Sequence, residues 1–241
     1  MNPDNRTRNR WLVVALYAIA MAWVEAAVVY YLRTLVDRID PYQPNPLPIA
    51  TGLGEAELVR EFATLVMLVA VGWLAGATWR SRAAYALVAF GIWDIFYYVF
   101  LRVMTGRPES VFDWDILFLI PLPWWGPVWA PVSIAFMMVL FGTVIVRFDE
   151  VDRPIWPRRY ASGAGITGIA LSLYVFMADA IHSPDKSATA LRNLLPVSFN
   201  WPLFSGALAL LLIPLVDVGS KTWKRRRVTT PVCAAPGEAA P

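Results

Sequence analysis

Histidine and cysteine occur once each in 241 residues, and only 16% of the chain is charged. Each scarcity excludes something. With His182 alone, neither a three-histidine zinc site nor a bis-histidine haem site fits within one chain. With Cys233 alone, no intrachain disulfide forms. The sequence holds no G-x-x-x-x-G-K-[ST], no G-x-S-x-G and no H-E-x-x-H, so the signatures of P-loop phosphate binding, serine hydrolysis and zinc proteolysis are missing. No polar segment is long enough to fold as a soluble domain. The net charge of +3 does not indicate a nucleic-acid partner, because the basic residues sit in short runs beside apolar blocks.

What the chain has in abundance is apolar sequence: 58% hydrophobic residues and a mean hydropathy of +0.50. An ordinary soluble domain is about 45–50% apolar. The excess lies in blocks of about 20 residues, the length that crosses ~30 Å of hydrocarbon. The pattern predicts an all-α polytopic membrane protein with six transmembrane helices, over Trp11–Leu32, Glu57–Thr78, Ala83–Met104, Pro127–Val146, Tyr160–Ile181 and Phe199–Val218. The first block outruns the 7–15-residue core of a signal peptide and is read as a retained helix. Residues 34–54 and 182–198 read as loops. Residues 114–126, rich in proline and tryptophan and too short to span, read as an interfacial or re-entrant piece before helix four. Residues 1–10 form a basic N-terminus, 11–220 one transmembrane domain, and 221–241 a basic and then disordered tail.

Lysine and arginine predict the orientation. With both termini in the cytoplasm, fourteen of the twenty-one basic residues fall on cytoplasmic segments. The expected location is therefore the cell (inner) membrane, with the bilayer as the main partner and a second copy or a membrane complex as a further one.

The organising stretch is Gly91–Pro131. It sets Asp94 inside an apolar helix, then Asp113 and Asp115, then four prolines among Trp124, Trp125 and Trp129. A carboxylate at membrane depth faces protein or water, and it marks a candidate site. On the predicted topology Glu25, Asp94, Asp179 and Glu61 all fall in the outer half, with His182 at the outer end of helix five, and the inner half is nearly bare of acids. Tyr97 and Tyr98 follow Asp94 at i+3 and i+4, on its face. Glu25 precedes Arg33 by eight residues as Asp94 precedes Arg102, a weak sign of an internal repeat.

In helix five Ala161, Gly165, Gly168, Ser172 and Val175 form a small-residue stripe that continues to Asp179 and His182, so Asp179 is expected to face a packed neighbour. Glu61 reads as a solvated helix start that is still a candidate, and Asp113 and Asp115 as interfacial loop. If a metal binds, Asp94, Glu25, Asp179 and His182 are the expected ligands; the sequence identifies no cofactor.

Three functional readings fit these residues. The first is an outward-facing polar pocket that binds or moves a proton, cation or small ligand. The second is a membrane-embedded enzyme acting on a lipid or isoprenoid at the outer leaflet, with carboxylates and His182 as metal ligands or acid and base. The third is a structural subunit or assembly factor whose acids only fix packing.

Overall fold

A computed structural model describes residues 3–35, 37, 39–42, 51–149, 154–185, 187, 195–196 and 198–229. Among the described residues six helices carry the fold: α1 (Pro3–Leu35), α2 (Thr51–Ala75), α3 (Trp79–Thr105), α4 (Trp129–Phe148), α5 (Arg159–His182) and α6 (Trp201–Thr229). All six are long and apolar enough to cross a membrane. Most outrun the apolar blocks in the sequence. The 33 residues of α1 extend about 50 Å at 1.5 Å each, well beyond ~30 Å of hydrocarbon. Arg6, Arg8 and Arg10 therefore ride on α1 itself, exposed, and do not form a separate tail. Most of the loop over 182–198 and all of the tail beyond Thr229 lie outside the described residues.

The helices alternate in direction, so the starts of α1, α3 and α5 share one end with the finishes of α2, α4 and α6. Arg10 reaches the Ala75 carbonyl there, and Arg225 reaches that of Pro154. We call this the terminal end. Helix α3 is the central element, packed against α1, α2 and α4. Small residues permit the approach. A Cβ on Gly91 would lie 2.4 Å from the Ala135 carbonyl oxygen, and one on Gly142 would lie 2.5 Å from that of Ala84. Helix α3 opens earlier than expected. Thr78 and Ser81 form a reciprocal capping box, so the Arg80–Arg82 turn becomes the first turn of the helix. It closes on Gly106 at φ 74°, the left-handed cap that favours glycine.

The α5 stripe behaves as its small residues predict. Ala161, Gly165, Gly168, Ser172 and Val175 are buried. Gly168 faces the Ala207 carbonyl of α6, and Gly165 faces Pro214, which α6 accommodates without ending. The spacing Gly163-x-Gly165-x-x-Gly168 resembles a dinucleotide fingerprint, but it lies inside a helix and follows no strand; Gly165 and Gly168 serve packing, while Gly163 faces open space.

The segment expected to be interfacial or re-entrant is an antiparallel hairpin, β1 (Trp114–Phe118) and β2 (Trp124–Pro127). Trp114 pairs with Pro127, Asp115 with Gly126 and Ile116 with Trp125. Pro121 and Pro123 fall in the reversal between the strands, where a missing N–H removes no ladder bond. Pro127 ends β2, so α4 starts at Trp129, two residues later than predicted. The hairpin packs on α4 and α5 at what we call the strand end.

The terminal half is not bare of acids, contrary to expectation. Asp149 takes hydrogen bonds from Arg80 Nε at 2.8 Å, Thr78 Oγ1 at 2.9 Å and the Ile155 N–H at 3.0 Å. Asp217 takes them from the Arg158 N–H at 2.9 Å and Tyr160 at 3.3 Å, and pairs with Lys221 at 2.9 Å. Asp149 stands in the charged run 147–153 and Asp217 four residues before Lys221, so both read as the ends of apolar blocks in the sequence.

Candidate polar cavity

Three helices and a strand line a partly open cavity of about 160 Å³ at the strand end. Helix α1 contributes Glu25, Val29, Leu32 and Arg33, spaced at four, three and one so that they share a face. Helix α2 brings Glu57, Arg60 and Glu61 by the same rule, and α3 brings Asp94, Tyr97 and Tyr98 with the adjoining Trp93. The run Ile116–Leu119 of β1 and its following residue closes the remaining side.

Its charges are unevenly matched. Arg60 sits between two acids, ion-paired to Glu25 and to Glu57, with its Nε 2.9 Å from Glu57 Oε2. Thr64 donates a further hydrogen bond to Glu25 at 3.1 Å. Glu61 is 6% exposed and accepts the Leu119 N–H on both carboxylate oxygens, at 3.0 and 3.1 Å. Glu61 thus satisfies a backbone donor just past the end of β1, where no neighbouring strand does so. Arg33 turns away to Asp115, 2.5 Å distant and 2% exposed on β1. Burial pushes the Asp115 carboxyl above its usual range, against the downward pull of the Arg33 guanidinium. Arg33 also borders a second, more polar cleft of about 240 Å³, lined by Asp40, Tyr42, Arg107, Asp113 and Trp114 among others.

Asp94 differs from all of these. It is 8% exposed, and its Oδ2 is buried with no hydrogen-bond partner among the described residues. The same holds for the indole Nε1 of its neighbour Trp93. Four carboxylates (Glu25, Glu57, Glu61, Asp94) line the cavity against two guanidiniums, and one of those is committed to Asp115. An arrangement of this kind attracts a proton or a cation, since a lone buried carboxylate is costly until something neutralises it.

Of the residues singled out in the sequence, Glu25, Glu61, Asp94, Tyr97 and Tyr98 border this one cavity. Asp179 and His182 do not. They sit at the far end of α5, which packs against α6 and β2. The buried stripe passes through Phe176 to Ala180, one residue beyond the spacing that would have carried it to Asp179, and leaves Asp179 half-buried. His182 is exposed, with its Nδ1 2.7 Å from the Ala178 carbonyl. The set Asp94, Glu25, Asp179 and His182 is therefore not assembled. Among the described residues, no three His, Cys, Asp or Glu side chains converge as metal ligands.

Sequence reasoning missed Glu57, Arg60, Arg33 and Asp115. The Glu57–Arg60–Glu61–Thr64 spacing of three, one and three was a usable signal for one buried polar face. The repeat between α1 and α3 does not extend to partners: Glu25 pairs with Arg60, while Arg102 caps the carbonyls of Pro108 and Glu109.

No protein-family model, curated protein or solved structure matches this chain.

Proposed function

We propose that this multi-pass membrane protein lies in the inner membrane with both termini in the cytoplasm. Its strand-end cavity faces outward and binds or moves a proton, a cation or a small ligand, with Asp94 as the central group. The observation that carries this reading is the unpartnered, buried Asp94 Oδ2 in a cavity where carboxylates outnumber guanidiniums. A carboxylate kept only for packing would be matched, as Asp149 is.

The deciding experiment compares wild type with Asp94→Asn in detergent and in proteoliposomes. Proton uptake after a pH step and Na⁺- or K⁺-dependent thermal stabilisation are the readouts. The reading requires that Asp94→Asn fold and lose the response; an identical response from both proteins would sink it. Orientation has its own test. In a Cys233→Ser background, Glu109→Cys should react with an impermeant maleimide on intact cells, and Arg6→Cys only after permeabilisation.

The enzyme reading has less support, because its only histidine stands outside the cavity lining. The subunit reading draws on the many matched acids, but it gives Asp94 no role.

A further inference from the structure

We propose that the cavity takes a small protonated amine, an ammonium group on an apolar body of roughly benzene size that carries a hydrogen-bond acceptor. This rests on the reading of the cavity as a binding site and names its ligand class.

Two unmatched atoms define the polar demand. Asp94 Oδ2 is a buried acceptor without a donor, and Trp93 Nε1 is a buried donor without an acceptor. They belong to adjacent residues that both line the cavity. Leaving such groups unmade is costly, so a ligand that draws either atom towards its own N–H⁺ or oxygen gains a hydrogen bond. The neighbouring acids are already committed, Glu25 to Arg60 and Thr64, and Glu61 to the Leu119 N–H. Asp94 is the one of the four carboxylates with no hydrogen-bond partner among the described residues, and their excess over guanidiniums favours a cation beside it.

The walls argue against a bare metal ion. Divalent cations such as Ca²⁺ collect about six or more oxygens, whereas the described residues bring no three acidic, histidine or cysteine ligands together. Aromatic rings stand there instead. Trp93 stacks on Tyr97 with centroids 6.3 Å apart and meets Phe118 at 6.1 Å, and Tyr97 contacts Tyr98 edge-on at 5.0 Å. Ring faces attract ammonium groups and shelter apolar carbon, and neither property serves a strongly hydrated ion. Size sets the last limit. The volume of about 160 Å³ is close to that of a cavity of ~150 Å³ that holds one benzene.

The test uses the full-length protein in detergent, with benzylamine as probe and calorimetry and thermal stabilisation as readouts. Benzyl alcohol, of the same shape without charge, benzoate, of opposite charge, and tetramethylammonium, a cation with no N–H, are the controls. Benzylamine should bind saturably and each control at least about tenfold more weakly, the penalty for losing a charged hydrogen bond. Asp94→Asn should weaken benzylamine by a similar factor. Hydroxybenzylamine should bind more tightly than benzylamine, and Trp93→Phe should erase that difference.

The control series is read on the unaltered protein, so it decides even if Asp94→Asn does not fold. Equal binding of benzyl alcohol, or benzylamine binding that survives Asp94→Asn, overturns the assignment. If benzylamine fails while proton uptake still depends on Asp94, the amine is wrong and the cavity reading stands. If Asp94→Asn changes neither, both fall together.

Discussion

At the terminal end, Asp149 collects an arginine, a threonine hydroxyl and a backbone N–H, and Asp217 collects a lysine, a tyrosine and a backbone N–H. At the strand end, Asp94 is buried to a similar degree as Asp217 and leaves an oxygen with nothing. Burial therefore does not explain the contrast. Asp149 and Asp217 join segments that would otherwise splay: the α3 start to the residues after α4, and the approach to α5 to α6. Asp94 joins no other segment among the described residues. A chain able to match two acids at one end, with Arg33 and Arg60 both at hand at the other, has spent those arginines elsewhere.

The contrast can be broken by substitution. The largest effect is expected at Asp149. Asp149→Ala leaves Arg80 without its partner and should cost about 3–5 kcal/mol, read from thermal or denaturant unfolding in detergent. Arg60→Met should follow at about 3 kcal/mol, since it strands Glu25 and Glu57 together. Asp217→Ala should cost about 2 kcal/mol, because Arg158 is 61% exposed and water takes over part of its role. Asp94→Asn should cost least and can stabilise, as removing an unmatched buried charge does. If it instead costs as much as Asp149→Ala, the two ends are alike and Asp94 is a packing residue. A sharper version combines Asp94→Asn with each of the others. The costs should add to within ~0.5 kcal/mol for Asp149, which stands at the opposite end of the bundle.

Six helices were legible in the sequence because each apolar block is long enough to span and the blocks are separated by charge or proline. The hairpin was not. Ile116–Ile120 was recognisably too short to cross, but four prolines argued against any regular pairing, and only the placement of Pro121 and Pro123 in the reversal removes the conflict. Asp94, Glu25 and the tyrosine pair were legible because a charge inside an apolar run stands out. Glu61 was undervalued since the sequence reads as a helix starting at Glu57, where acids are ordinarily solvated; α2 instead starts at Thr51, and the hairpin folds over Glu61. Arg33 and Asp115 are 82 residues apart, and no local pattern reports such a pairing. The stripe on α5 was read correctly through Val175, and the extrapolation to Asp179 failed by one position. Spacings of three and four both fit a helix over a few turns, and only the partner helix selects between them.

Helix α2 touches its neighbours very differently along its length. Near its finish, a Cβ on Gly72 would lie 2.6 Å from the Ala86 nitrogen, and one on Gly76 would lie 2.3 Å from the Arg82 nitrogen, so backbone meets backbone there. Near its start, contact runs through the long side chains of Glu57, Arg60 and Glu61, while Val59, Phe62 and Val66 point outward from the protein. Mechanically this is a lever. The glycines are the fulcrum, and the arm from Gly76 to Glu61 is about 22 Å at 1.5 Å per residue. The Arg60–Glu25 and Glu61–Leu119 links are the latch at its tip. A substitution that breaks either link should therefore loosen the start of α2 and leave its finish in place.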